Sequence, residues 1–171
     1  MDEVKRLLDE YQMRAMAAAP SKVDVLMDLE RIRDARVVPF LLKVLGDRQE
    51  IENVRIHVLK QLRNGDGLVA PAERPRVAKS VSDILADKST VELRLEAALA
   101  LGAFTQIDGV LATLSNVALA RDESIDLRYA AFTSLERAGP TPESIALMRL
   151  ISTDETLGIS ARGVMSAWHV V

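Results

Sequence analysis

One basic residue recurs along this chain in a fixed setting. Arg55 in NVRIHVLKQL, Arg94 in VELRLEAALAL, Arg128 in DLRYAAFTSL and Arg162 in SARGVMSAWH each open an apolar stretch, and Lys22 in SKVDVLMDLE fills the same slot. The intervals between these five residues are 33, 39, 34 and 34. Three, four and seven residues after the arginines come Val58, Leu59 and Leu62; Ala97, Ala98 and Leu101; Ala131, Phe132 and Leu135; Met165, Ser166 and His169. Leu29 stands seven after Lys22. These offsets fall on one face of a helix. Self-similarity at this period marks a repeat architecture, in which each unit buries its apolar face against its neighbours. The one long interval contains NGDGLVAPAERP, whose glycines and prolines read as a long surface loop with a possible recognition role.

Other helical stretches alternate with these five: DEVKRLLDEYQMRAMAAA, VVPFLLKVLG, RPRVAKSVSDILA, DGVLATLSNVALA and TPESIALMRLIS. Ala19-Pro20 reads as a helix end with Ser21 capping the next helix. Ser89 with Glu92 reads as a capping box, and Thr141-Pro142 as an N-cap followed by proline at the first helical position. The expectation is all-α: ten helices in five antiparallel hairpins spanning roughly 3–34, 35–64, 74–105, 107–138 and 141–170, in a single domain 1–171 with no strand.

A lone arginine in an apolar helix is costly to bury unless it is paired. Each arginine follows an aspartate by six to eight residues: Asp47 and Arg55, Asp87 and Arg94, Asp122 and Arg128, Asp154 and Arg162. The aspartate falls in the turn inside each hairpin. The spacing predicts a ladder in which each arginine meets aspartates of its own and the adjacent repeat, the planar guanidinium bonding two acceptors at once. The acid pairs in the turns, Glu50-Glu52, Asp122-Glu123 and Asp154-Glu155, also sit near helix starts, where the helix dipole favours negative charge.

An Asp-to-Arg spacing of this kind in helical pairs of roughly 34 residues resembles HEAT repeats. The sharpest likeness is LERIRDARVVPFLLKVLGD, which is similar to the turn and first helix of the short HEAT-like repeats named after phycobilisome lyases, through Asp34, Arg36, Val38, Pro39, Leu41 and Leu42. The resemblance spans most of the chain and departs from the pattern at Lys22, at the insert after Leu62 and at His169. It implies an α-solenoid, a right-handed superhelix of about five hairpins, and it implies no single activity, since fold and function are separable.

Composition narrows the functional classes. There is no cysteine, which excludes disulfides, thiolate metal sites and thiol nucleophiles. A net charge of −3 gives no overall basic field for nucleic acid or anionic membrane. Ala97 to Ala120 is the greasiest region, but Asp108-Gly109 breaks it into pieces too short to span a bilayer. The start, MDEVKRLLDEYQ, lacks the layout of a secretory signal, so a cytoplasmic location is expected. His57 is expected on the solvated side of its helix and His169 as a partly buried substitute for leucine; neither has a second ligand at helical spacing. No catalytic, metal or cofactor site is expected.

What remains is a binding surface. If the apolar offsets are core, the outer stripe of the second helices reads Ile56, Lys60, Arg63; Leu95, Leu99, Gly102; Tyr129, Thr133, Glu136. A partner helix or strand lying across it would anchor on Leu95, Leu99 and Tyr129. The apolar end SAWHVV offers an end-to-end homodimer contact through Val164, Trp168 and Val171. The leading expectation is a non-enzymatic scaffold binding another protein or peptide on its concave face. The resemblance adds two alternatives. One is a lyase or chaperone-like component handling a bilin on a carrier protein. The other is a HEAT-like nucleic-acid binder, for which Arg31, Arg33, Arg36, Arg74 and Arg76 would be the basic patch.

Overall fold

The computed structural model describes residues 2–14, 19–64, 67–88 and 90–171, with the backbone alone at Ala19 and Pro20. The described residues form ten α-helices and a short 3-10 helix at Pro71–Glu73, with no strand. The α-helices are α1 Glu3–Met13, α2 Ala19–Glu30, α3 Val37–Gly46, α4 Glu52–Asn64, α5 Arg74–Ala86, α6 Val91–Leu101, α7 Val110–Leu119, α8 Ile125–Glu136, α9 Pro142–Ile151 and α10 Gly158–Ala167. The chain divides into two compact units, 1–80 and 81–171, with the boundary inside α5. In the first, α1 packs on α2, α3 on α4, and α2 on α4. In the second, α7 packs on α8, α9 on α10, α6 on α8, and α7 on α9.

The helices start and stop where local chemistry favours it. Asp2 caps α1 by accepting from the Lys5 N–H, and Ser124 caps α8 by accepting from the Leu127 N–H. Thr141 and Ser144 exchange hydrogen bonds as a capping box, with Pro142 in the first turn of α9. Gly109 is the N-cap of α7 at φ +87°, a left-handed conformation that a side chain would disfavour. Two expected signals differ. The first helix ends at Met13 rather than at Ala19, and Pro20 is the second residue of α2, where a missing N–H leaves no bond unmade. Ser21 therefore lies inside α2 and does not cap it. Ser89 is outside the described residues; Thr90 is the N-cap of α6 and makes no side-chain capping bond.

The arginine offsets organise the core. Val58, Leu59 and Leu62, Ala97, Ala98 and Leu101, and Ala131, Phe132 and Leu135 are all buried, as are Val25, Leu26 and Leu29 after Lys22. In α10 the pattern weakens: Ala161 and Val164 are buried, Met165 is half-buried, and Ser166 and His169 are exposed. His169 is therefore not a core substitute for leucine; it stands past the helix end at φ +57°. Among the insert's described residues, Leu68 is buried and Pro71–Glu73 form a helical turn leading into α5.

Two glycines of α10 separate close approach from free surface. A Cβ on Gly158 would stand 2.7 Å from the Ser152 carbonyl oxygen, whereas one on Gly163 would meet nothing within 4 Å. Gly158→Ala should cost about 1–3 kcal/mol because backbone must shift. Gly163→Ala, in a helix interior, should stabilise by about 0.5–1 kcal/mol. Urea unfolding of the two variants measures both.

Candidate functional site

The repeated basic residue does two jobs at once. Arg55, Arg94 and Arg128 are 5%, 9% and 6% exposed. The Nε–H of each donates to a carbonyl near the end of the preceding helix: Arg55 to Leu45 O, Arg94 to Leu85 O and Arg128 to Ala118 O, all at 2.8 Å. The last carbonyls of a helix have no partner within it, and a cation there opposes the negative end of the helix dipole. The arginine thus closes its own hairpin. Its tip then reaches an acid further along the chain. Arg94 Nη1 and Nη2 donate to both oxygens of Glu123 at 2.8 and 2.6 Å. Arg128 Nη2 donates to Asp154 Oδ1 at 2.9 Å. Lys22 follows the same plan with one nitrogen, bonding Glu50 Oε1 at 2.7 Å.

The acids are not all the ones expected. Asp122 is exposed and lies 3.7 Å from the Lys88 ammonium, while its neighbour Glu123 takes Arg94. Asp47 is exposed and accepts from the Gln49 N–H in its own turn. Asp87 is half-buried. Asp154 does meet an arginine, Arg128, and its other oxygen accepts from the Thr156 and Leu157 N–H groups. Arg162 is exposed; its Nη1 donates to Ser152 O at 2.6 Å. Glu50 and Glu123 are therefore rung acids, not only helix-start charges.

The electrostatics follow the bonds. The Arg94 guanidinium holds the Glu123 carboxyl below its ordinary range, and Arg94 is raised in return. Asp154 is lowered by the Leu157 and Thr156 N–H bonds together with Arg128. Burial pushes Glu50 up, but hydrogen bonds from Lys22, Tyr11 and the Ile51 N–H outweigh it, and the net direction is down. Pairing of this kind mainly offsets the desolvation of both partners.

The outer stripe is partly gathered. Leu95 and Leu99 on α6 are half-buried, and Tyr129 on α8 is 40% exposed, with Thr133 and Glu136 exposed. The two helices pack together, with Ser134 Oγ donating to Ala98 O at 2.6 Å. Gly102 is buried; a Cβ there would stand 2.9 Å from Ser134 Oγ and from Arg137 Nη1. On α4, Ile56 and Arg63 are half-buried and Lys60 is exposed. Of the terminal residues, Val164 is buried, Trp168 half-buried and Val171 exposed. Of the basic patch, Arg36 is bound to Asp2 and Asp34, which holds Asp34 at about 2. Arg31, Arg33 and Arg76 are exposed and Arg74 half-buried.

A second register runs beside the first. Three residues before Arg94, Arg128 and Arg162 stand Val91, Ile125 and Ile159, which are 72%, 46% and 78% exposed. They open α6 and α8 and occupy the second position of α10. The signal was in the sequence, as a branched aliphatic repeating every 34 residues, but one step outside the apolar offsets. Charge differs between the units as well. Residues 81–171 carry twelve acidic and seven basic side chains, whereas residues 1–80 carry thirteen and fifteen.

His57 is half-buried rather than solvated, and its Nε2 has no hydrogen-bond partner among the described residues. Gln61, one turn on, donates to Leu26 O while its Oε1 is likewise unpartnered. Among the described residues no group of three or more His, Asp or Glu side chains is placed to hold a metal ion, and no helix is long and apolar enough to cross a membrane. Neither a protein-family model nor a curated protein matches the chain.

Two measurements follow. Glu123→Ala strands a buried guanidinium and should cost about 3–5 kcal/mol in urea unfolding, whereas Asp122→Ala, its exposed neighbour, should fall within about 0.5 kcal/mol of wild type. Burial lowers His57 below its ordinary 6.5, so the fold holds it neutral and the unfolded chain takes up the proton first. Stability should therefore fall as pH drops from about 7.5 to about 5.5, and His57→Gln should remove that part of the slope. Glu50, Glu123 and Asp154 are depressed in the fold, so their contribution is present above the ordinary carboxylate values of 4.5 and 3.8 and is lost only as pH falls below them.

Proposed function

We propose that the chain is a non-enzymatic interaction scaffold, an α-solenoid of HEAT-like hairpins that holds a segment of a partner protein on its second helices. The hairpin packings inside each unit, with α2 on α4, α6 on α8 and α7 on α9, support the stacked arrangement. The observation that carries the functional reading is the exposed row of Val91, Ile125 and Ile159. A single exposed aliphatic needs no explanation. Three at one repeat position, each three residues before the recurrent arginine, are a pattern that internal packing does not require. Leu95, Leu99 and Tyr129 extend the apolar surface along α6 and α8.

Charge defines the partner further. Glu92, Asp122, Asp126 and Glu155 are exposed near these helix starts, within a unit that carries more acid than base. A segment that is both basic and apolar complements this surface, and opposite charge would speed its association at low salt.

The test replaces Val91, Ile125 and Ile159 by serine together. Serine is tolerated in a first helical turn, so the fold should persist, with unfolding stability within about 1 kcal/mol of wild type. Proteins captured by the wild-type chain from its native host should bind the triple variant at least about tenfold more weakly, a loss of about 1.4 kcal/mol. Undiminished capture by the variant removes this surface from the reading.

A further inference from the structure

Lysine in place of arginine at the first repeat position has a local consequence. An arginine there would carry a planar head with five N–H donors; Lys22 carries one nitrogen, and Glu50 takes it. Beside Lys22 lies a cavity of about 290 Å³. That is space for roughly ten water-sized groups. Its inner wall is the Lys22–Glu50 pair, with side chains only 4% and 6% exposed. Tyr11 and Phe40 form an apolar corner, their rings 5.2 Å apart and nearly perpendicular at 84°. Lys43 and Gln49 line the cavity and are exposed.

The hydrogen bonds around the pair decide what can enter. Glu50 accepts from Lys22, from the Tyr11 hydroxyl and from the Ile51 N–H. The Tyr11 proton is thereby committed to Glu50. Lys22 has three N–H donors, and among the described residues Glu50 is its one acceptor, with the Tyr11 ring 5.6 Å from the ammonium. Three donors already meet the acid, one short of its roughly four lone-pair sites, whereas the ammonium has two of its three N–H donors left over. The pair therefore favours a ligand group that accepts over one that donates, and a carboxylate brings opposite charge to the hydrogen bonds it takes from the ammonium. Asp47 also lines the cavity, but it is exposed, accepts from the Gln49 N–H and is screened by water. The perpendicular rings of Tyr11 and Phe40 offer one face and one edge, which suits a flat apolar body.

We propose that the cavity beside Lys22 binds a small aromatic carboxylate, its oxygens on the Lys22 ammonium and its ring against Tyr11 and Phe40. The site is independent of the partner surface above.

Benzoate is the probe, with benzamide and benzylamine of like shape as the neutral and cationic controls. Titration of the full chain, followed by protein-observed NMR, should give saturable shifts with benzoate that include Tyr11 and Phe40. Benzoate should bind at least about tenfold tighter than benzylamine. Lys22→Arg keeps the cation and fills the space with the residue of the other repeats; it should weaken benzoate at least about tenfold while the unfolding midpoint holds or rises. Phe40→Leu, which keeps apolar bulk but removes the ring, should weaken benzoate more than inorganic phosphate, and it serves if Lys22→Arg fails to fold. Three results would each overturn the proposal: no saturable shift with benzoate up to about 10 mM, equal binding of benzylamine or phosphate, or undiminished binding by a folded Lys22→Arg chain.

Discussion

A buried cation and the open end of a helix each pose a problem that the other solves. The terminal carbonyls of α3, α5 and α7 need donors, and the arginines buried beside them need acceptors. One Nε–H···O bond of 2.8 Å in each hairpin answers both. Because the guanidinium is a fork, the tip remains available for an acid on the next turn, as Arg94 does with Glu123 and Arg128 with Asp154. A single residue therefore ties the two helices of its own hairpin and the turn that follows. Lysine cannot do all of this. At position 22 its one nitrogen goes to the acid, and a cavity lies beside it.

This division explains which parts of the structure could be read from the residues. The arginine period marks the second helices because burial at offsets 3, 4 and 7 is a property of helix geometry alone. The identity of the rung acid is not such a property. Asp122 and Glu123 are adjacent and differ by one methylene, and which one turns inward depends on the backbone path of a tight turn. At the Asp154 turn the shorter residue is chosen instead, since it also accepts from the N–H groups of Thr156 and Leu157. The setting of His57 escapes the sequence for a related reason. The apolar stripe marks one face of its helix, but α4 also packs on α2, and that second contact draws in His57 and Gln61, which carry no apolar signal.

Proline misled in the opposite direction. A proline after a helical pattern suggests an ending, yet the same residue is compatible with a first turn, where the N–H it lacks has no helical acceptor. Pro20 is of the second kind. Thr141-Pro142 is less ambiguous because the threonine ahead of it supplies the cap.

The exposed aliphatics show why a surface is harder to read than a core. A core position is constrained by neighbours on all sides, so its pattern repeats whether or not the protein binds anything. The first residue of a helix has few such neighbours, and its Cβ tilts toward the N-terminus, away from the packed turns. Folding leaves these positions almost unconstrained, and a polar residue would serve there equally well. Val91 and Ile125 are each followed by an acid, Glu92 and Asp126, which the helix dipole does favour. The acid is thus accounted for by the helix and the aliphatic before it is not. In the proposed reading, that asymmetry within a two-residue step separates a side chain that serves the fold from one that serves a partner.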